Sequence, residues 1–291
     1  MNMQRSPTST LERPDVRNRS ETRLHGRWLL LARVAWVVVT LLILGLNIGA
    51  IPQYHAVLQT VCAAPVNCFS DQLAITDVQG LRALGISLAV YATLTIALNG
   101  LLDLISIILG ALLFWHRSNE PVALLCAFML VTFFGISSAM HEGLAPLSLG
   151  WYAVVEFLDF LGQMSLSLFF YLFPTGRFVP RWTRWAALLY AVYYVWTIIT
   201  FHPGTFTSLP EALLFFGLIL TLVVAQIYRY RRISTPAQRQ QTKWVMFAIV
   251  IAILGFIMAV SASNILFPTG HSSSIVVQLI GPYVILSLIH I

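Results

Sequence analysis

The 291-residue chain is 58% hydrophobic and only 10% charged, with a mean hydropathy of +0.81, whereas soluble domains are about 45–50% apolar and about 25% charged. This composition excludes a soluble globular fold, because such a fold cannot hide so much apolar surface from water. The net charge of +6 does not indicate a nucleic-acid partner, since the basic residues stand in short clusters between apolar runs, where they set membrane topology. We therefore predict an all-α, polytopic transmembrane helix bundle in a cell membrane, with the lipid bilayer as its surroundings.

The N-terminal residues 1–27 are polar and rich in arginine and serine. Low hydrophobicity with high charge is typical of a disordered segment, so we interpret them as a basic cytoplasmic tail. The apolar run that follows is long enough to span a membrane and lacks a clear small-residue cleavage site, unlike a secretory signal peptide. Residues 28–291 are then predicted to form the helical bundle.

Eight apolar runs are predicted to cross the bilayer, at 28–51, 84–115, 122–140, 151–173, 185–201, 212–228, 244–267 and 275–291. The second run exceeds the roughly 20 residues that the hydrocarbon core requires. It predicts a tilted helix that projects beyond the outer leaflet, with Asn99–Gly100 as a weak point. The last run ends with the last residue. We therefore interpret the chain as the membrane part of a larger protein or as a truncated gene product.

Positive charge alternates along the predicted loops. The segments after the second, fourth and sixth spans carry the arginines and lysine Arg117, Arg177, Arg181, Arg184, Arg229, Arg231, Arg232, Arg239 and Lys243, whereas the segments between them hold only Arg82. Cytoplasmic loops are enriched in Lys and Arg. The alternation therefore predicts that the N-terminus and these basic loops are cytoplasmic.

The chain contains three cysteines, two of which lie together in the first polar loop, between Pro52 and Arg82. If this loop faces an oxidising compartment, we expect a disulfide between Cys62 and Cys68; the alternative is two free thiols. Cys126 falls within an apolar run and is predicted to be a core residue. The seven histidines are scattered without metal-ligand spacing. Four of them fall in predicted outside loops, where solvated side chains are one interpretation and a metal site on the outer face is the other: His55, His141, His202 and His271. No catalytic or nucleotide-binding motif occurs, so no catalytic residue, cofactor or metal is predicted.

Polar side chains within the predicted spans indicate a structural or functional role, because burying them in lipid is costly. Asn99 and Asp103 are four residues apart in the second span and share a helical face. Glu156, Asp159 and Gln163 share a face of the fourth span in the same way. One interpretation is a proton or ligand relay inside the bundle, and the other is interhelical hydrogen bonding between protonated acids.

Two predicted cytoplasmic loops carry a recognisable signature, LFPTGRFVPRW at 172–182 and YRRISTPAQRQQTKW at 230–244. Proline and glycine end the fourth span and stiffen the first loop, and the second loop can extend a helix into the seventh span. The residues that define the signature are Pro174, Gly176, Arg177, Pro180, Arg181, Arg231, Arg232, Gln238, Arg239, Gln240, Gln241, Lys243 and Trp244.

This signature resembles the multi-span N-terminal membrane input region of bacterial sensor histidine kinases of the Chloroflexi type and, more distantly, that of competence quorum-sensor kinases. The resemblance extends over nearly the whole chain. It implies a signal-input module of a two-component system that forms a homodimer and acts on a cytoplasmic kinase domain or response regulator. Kinase activity itself would need a downstream domain, because the phosphoacceptor and nucleotide-binding motifs are absent from these residues.

Two other classes of function remain open from the sequence. A small transporter or channel is one, although the internal repeats typical of transporters are not convincing here. An intramembrane enzyme is the other, supported only by the acids at positions 156 and 159. The basic loops could also serve as topology anchors alone.

Overall fold

The computed structural model describes residues 26–62, 71–83, 85–137, 139–174, 176–200 and 209–232, together with residue 243. Nearly all of these residues are helical, which confirms the all-α prediction for this part of the chain. The elements are α1 (Arg27–Leu58), α2 (Ile75–Ala83), α3 (Leu88–Arg117), α4 (Pro121–Met129), a π-helical turn (Leu130–Phe134), α5 (Gly135–Ser137), a 3₁₀ segment (Ala139–Leu147), α6 (Leu149–Leu172), α7 (Thr183–Ile199) and α8 (Leu209–Arg232).

Four of the described helices, α1, α3, α6 and α8, are long and apolar enough to cross a membrane. The stretch Pro121–Phe134 is apolar but shorter, and α7 has 17 residues. The predicted spans at 244–267 and 275–291 lie outside the described residues, as does the tail before residue 26. Membrane-length helices are thus established for this part of the chain, while the number of eight spans stays a prediction.

Two of the long helices differ from the predicted boundaries. α1 continues beyond residue 51 to Leu58 and includes Pro52, because Tyr54 and Leu58 are completely buried and their packing outweighs the hydrogen bond that proline removes. α3 begins where the Ser87 hydroxyl accepts a hydrogen bond from the Val90 amide, at 3.3 Å. It runs through Asn99–Gly100 without a break, as a single helix.

The predicted third span is irregular. It starts with Pro121 in the first turn, widens into the π-helical turn and continues as α5. The predicted loop after it is the 3₁₀ segment, which contacts α1 and α6. His141 in this segment is buried, so its interpretation as a solvated loop histidine is wrong.

Glycines allow these elements to pack backbone to backbone. A Cβ atom on Gly162 of α6 would lie 3.0 Å from the Thr132 carbonyl oxygen of the π-helical turn. A Cβ atom on Gly110 of α3 would lie 3.1 Å from the Ala127 carbonyl oxygen of α4. α6 also contacts α7, α8 and the 3₁₀ segment, which makes it the central helix of the described bundle.

Hydrogen bonds between helix termini define one end of the bundle. Arg33 of α1 donates to the Ser118 hydroxyl in the α3–α4 turn at 2.7 Å, and Arg229 of α8 donates to the Val179 carbonyl in the α6–α7 loop at 2.7 Å. Gly176 of that loop lies beside Val122 at the start of α4. We call this the basic end, since it gathers Arg27, Arg33, Arg117, Arg177, Arg181, Arg184, Arg229, Arg231 and Arg232.

The opposite end joins the end of α1 to the start of α3. Tyr54 of α1 and Tyr91 of α3 both donate hydrogen bonds to Asp71. Asp77 lies in the adjacent α2, and Glu211 lies in the first turn of α8. We call this the acidic end; Arg82 is the only arginine or lysine that the described residues place there.

Candidate functional site

The basic end contains a completely buried arginine. Arg229 lies in the last turn of α8 and has 0% exposure. Its Nε donates to the Val179 carbonyl oxygen at 2.7 Å, and its Nη1 donates to the carbonyl oxygens of Phe170, at 3.2 Å, and Phe173. One guanidinium thus joins α8 both to the end of α6 and to the α6–α7 loop.

The local sequence explains why these carbonyls need an outside donor. The last carbonyl groups of a helix have no intrahelical partner, and Pro174, four residues after Phe170, has no amide hydrogen to offer its oxygen. A cation is also favoured at a helix C-terminus by the helix dipole. Arg229 therefore supplies both the donors and the charge that the end of α6 lacks.

A second buried side chain of α8 reinforces this connection. The Gln226 amide donates to the Phe170 carbonyl oxygen at 2.6 Å and to that of Phe173 at 3.3 Å. One turn earlier, the hydroxyls of Tyr171 and Thr221 are hydrogen-bonded at 2.5 Å. These contacts fix α6 against α8 along the half of the helices nearest the basic end.

The signature of the first loop lies against this arginine. Pro174, Gly176 and Pro180 form the bend between α6 and α7, in which Gly176 has a φ of 70° that favours glycine, and the Pro180 carbonyl receives the first amide bond of α7. The peptide bonds before Pro174 and Pro180 are cis. Arg177 and Arg181 are exposed, so the loop presents positive charge outward while its backbone is bound by Arg229.

The second signature loop is described only in part. Arg231 and Arg232 end α8 with exposed side chains, and Lys243 is exposed and helical. Gln238, Arg239, Gln240, Gln241 and Trp244 lie outside the described residues. The start of the second signature therefore lies near the first signature at the basic end. Arg229, directly before the second signature, donates hydrogen bonds to the backbone of the first at Phe173 and Val179.

Arg229 and Gln226 were missed as site residues in the sequence, where Arg229 counted only as a topology signal. Two features of the sequence could have indicated them. Pro174 leaves the Phe170 carbonyl without a donor, and Gln226 and Arg229 are three residues apart on one face of α8.

The predicted cluster of intramembrane polar residues is divided by the structure. Asp103 is 5% exposed and accepts a hydrogen bond from the Asn47 amide at 2.9 Å. The same amide donates to the Gly135 carbonyl oxygen, just after the π-helical turn, at 2.9 Å. Asn99, which was grouped with Asp103, is instead hydrogen-bonded to Asp71.

The polar face of α6 lies inside the described bundle. Glu156 is buried, and Asp159 and Gln163 are half-buried and hydrogen-bonded to each other. Asp159 interacts electrostatically with Tyr190 and Tyr194 of α7. Along the same helix, the Ser165 hydroxyl is 2.7 Å from the Thr132 hydroxyl of the π-helical turn, so α6 uses polar contacts on both sides.

The acidic end has its own buried carboxyl group. The Tyr54 hydroxyl donates to the Asp71 carboxylate, and the Tyr91 hydroxyl donates to the Asp71 backbone carbonyl at 2.9 Å. Burial raises the pKa of Asp71, although the hydrogen bonds from Tyr54 and Asn99 act to lower it. Desolvation is therefore the larger effect on this carboxyl group.

The first polar loop is tied to α1 near this carboxyl group. The Cys62 amide donates to the Leu73 carbonyl oxygen at 2.8 Å, and the Cys62 sulfur is disulfide-bonded. Cys68, its predicted partner, lies outside the described residues, so the pairing stays a prediction. Cys126 is a free, half-buried thiol in α4.

In the part of the chain that the structure describes, no group of three His, Cys, Asp or Glu side chains could hold a metal ion. The set of polar contacts around Arg229 is the candidate functional site, with separate polar clusters at Asp103 and at Asp71. No family model matches the chain, and neither a curated protein nor a solved structure is found to be similar to it.

Proposed function

We propose that the chain is a membrane-embedded signal-input module that passes a conformational signal to a cytoplasmic kinase domain of a two-component system. The observation that carries this proposal is the buried Arg229, which joins the end of α6, the α6–α7 loop and the last turn of α8. Because α6 contacts most of the other described elements, a change in its packing would move the last turn of α8.

The charge distribution supports the direction of this signal. The basic end would face the cytoplasm, in keeping with the enrichment of Lys and Arg on that side of membranes. Its exposed arginines would bind anionic headgroups or a docked kinase domain. A differential binding free energy of a few kcal/mol between two packings of the helices is enough to switch the output. The resemblance of the two loops to sensor kinase input regions supports the same function, in a homodimer that acts through a response regulator.

A kinase fusion tests this function. The full chain is fused at its C-terminus to the catalytic region of a bacterial histidine kinase, reconstituted in nanodiscs and incubated with labelled ATP. We expect Arg229→Gln to change the rate of autophosphorylation severalfold, because it removes the bonds between α8 and α6. The matched control is Tyr228→Phe, an exposed position in the same turn and outside both signatures, which should leave the rate unchanged.

The unfused chain should stay unlabelled, since phosphoryl transfer requires a phosphate cradle, a metal-binding group and an aligned acceptor. Arg239→Gln and Lys243→Gln in the fusion test the second signature loop and should also change the rate. A fusion whose rate is the same for the wild type and for Arg229→Gln would contradict the signalling role of this connection.

A small transporter or channel is the second candidate function. The buried Asn47–Asp103 pair beside a π-helical turn favours it, because intramembrane carboxyl groups often mark ion or proton pathways and π-helical turns often occur at functional sites. Full-length protein in liposomes with an entrapped pH-sensitive dye tests this. Proton flux that disappears in Asp103→Asn would favour the transporter, whereas flux equal to that of empty liposomes would remove it.

A further inference from the structure

Residues 71–83 lie across the acidic end like a clasp, and we use the name clasp for this segment. Leu73, Val78 and Leu81 of the clasp are buried and pack in one apolar cluster with Tyr54 of α1 and Tyr91 of α3. Its N-terminal residues are bound to the end of α1 through the Cys62 amide and through a 2.8 Å bond from the Gln72 amide to the Thr60 hydroxyl. The clasp therefore connects the ends of two membrane-length helices.

Asp71 is the polar centre of this contact. It is 8% exposed, and it is bonded to α1 through the Tyr54 hydroxyl and to α3 through the Tyr91 hydroxyl. Asp77, 3% exposed, accepts the Ala74 amide at 3.1 Å with one oxygen, while its other oxygen has no hydrogen-bond partner among the described residues. Both carboxyl groups interact electrostatically with Tyr91, so two acidic side chains lie within an apolar contact.

We propose that the clasp is a proton-operated device, in which protonation of Asp71 tightens residues 71–83 against α1 and α3. The stimulus of the input module would then be acidification at the acidic end. Acidification as a stimulus rests on the proposed function, whereas the protonation of the clasp does not.

The direction of the effect follows from the cause of the pKa shift. Burial raises the pKa of Asp71, so the docked clasp disfavours the charged form of this side chain. The contribution of Asp71 to docking is complete below the ordinary pKa of an aspartate, and it is lost as the pH rises through the raised value. The neutral carboxyl group still accepts the Tyr54 hydroxyl bond and no longer carries a charge into the apolar contact.

Other titratable groups on the packed elements provide the controls. They are Tyr54 and His55 on α1, Asp77 and Arg82 in the clasp, Tyr91 on α3, and His141 in the 3₁₀ segment. His141 is buried, and Met140 beside it packs in the same apolar cluster as the clasp. The variant His141→Gln therefore separates the contribution of this buried imidazole from that of Asp71.

Hydrogen–deuterium exchange of the full chain in nanodiscs tests the clasp. Protection factors of the clasp amides are measured at pH 8 and pH 5 and corrected for intrinsic exchange with an unstructured reference peptide. We expect the wild-type protection to be severalfold higher at pH 5 than at pH 8, because burial of the docked side chain favours the neutral form of Asp71. Asp71→Asn, which imitates the neutral acid, should show high protection at both pH values.

The variants Asp77→Asn and His141→Gln should retain the pH dependence. Wild-type protection that does not change with pH would overturn the proposal, as would an Asp71→Asn variant that keeps the wild-type pH dependence. The kinase fusion is then measured at the same two pH values. If protection changes with pH but autophosphorylation does not, the proton-operated clasp stands and the link to signalling is wrong.

Discussion

The basic end and the acidic end are each held by a buried polar side chain, but the two differ in whether their charge can be removed. Arginine side chains remain protonated in proteins, and the partners of Arg229 are backbone carbonyls of a helix end and a loop. Asp71 is a carboxyl group whose charged form is disfavoured by burial. The comparison indicates a fixed joint at one end of the bundle and a titratable contact at the other, connected through α6 and its neighbours.

The largest effect is expected at the fixed joint. Arg229→Leu leaves the carbonyls of Phe170, Phe173 and Val179 with fewer donors, and each unsatisfied buried group costs about 1–3 kcal/mol. We expect a loss of about 2–5 kcal/mol in the free energy of unfolding. Thermal unfolding of detergent-solubilised protein measures this, with Arg231→Leu as the exposed control. Equal midpoints for the two variants would mean that the joint does not stabilise the bundle.

The packing in the middle of the bundle can be tested independently of the two ends by a glycine substitution. Gly162→Ala places a Cβ atom 3.0 Å from the Thr132 carbonyl oxygen and 3.2 Å from the Phe133 Cα, and backbone atoms cannot move aside as a flexible side chain would. We expect a destabilisation of about 1–3 kcal/mol. Gly217→Ala on α8 meets nothing within 4 Å and should be neutral or slightly stabilising. The difference between the two melting temperatures is the readout, and a Gly162→Ala protein as stable as Gly217→Ala would contradict the close packing.

A smaller effect is expected for the polar pair in the middle of the bundle. The amide of Asn47 and the carboxyl group of Asp103 are 2.9 Å apart, and interhelical hydrogen bonds of this kind contribute about 1–2 kcal/mol in model systems. A double-mutant cycle with Asn47→Leu and Asp103→Leu, followed by thermal unfolding, should give a coupling energy of this order. Strictly additive effects would show that the two side chains do not stabilise the bundle through each other.

The smallest effect is expected at the acidic end. Tyr54→Phe removes one hydrogen bond to Asp71 and keeps the ring, so we expect a loss of about 0.5–1.5 kcal/mol that is confined to the clasp. Amide exchange of residues 71–83 should become faster, while exchange in α6 and α8 stays unchanged. Tyr230→Phe on the exposed face of α8 is the control. A uniform increase in exchange over all helices would contradict a local contact.

The sequence was sufficient for the helical class and for the gathering of basic residues, because both depend on composition and on local patterns. The π-helical turn and the 3₁₀ segment could not be predicted in this way, because they depend on tertiary contacts. The Gly135 carbonyl oxygen directly after the π-helical turn accepts a hydrogen bond from Asn47 of α1, and the 3₁₀ segment contacts α1 and α6. Asn99 was paired with Asp103 by helical spacing, but the folded-back clasp brings Asp71 to it. Pro174 and the spacing of Gln226 and Arg229 mark a helix end that needs donors and a pair of polar side chains, but that α8 supplies donors to the end of α6 is a tertiary fact.

The orientation of the two ends tests the proposed function most directly, because a kinase domain would have to meet the basic end and external protons would have to meet the acidic end. Reporters that are active only in the cytoplasm are fused after Arg117, Arg184 and Lys243, and after Asp71 and His271. We predict activity at the first three positions and none at the other two. Activity after Asp71, or its absence after Arg184, would contradict the assignment of the basic end to the cytoplasm.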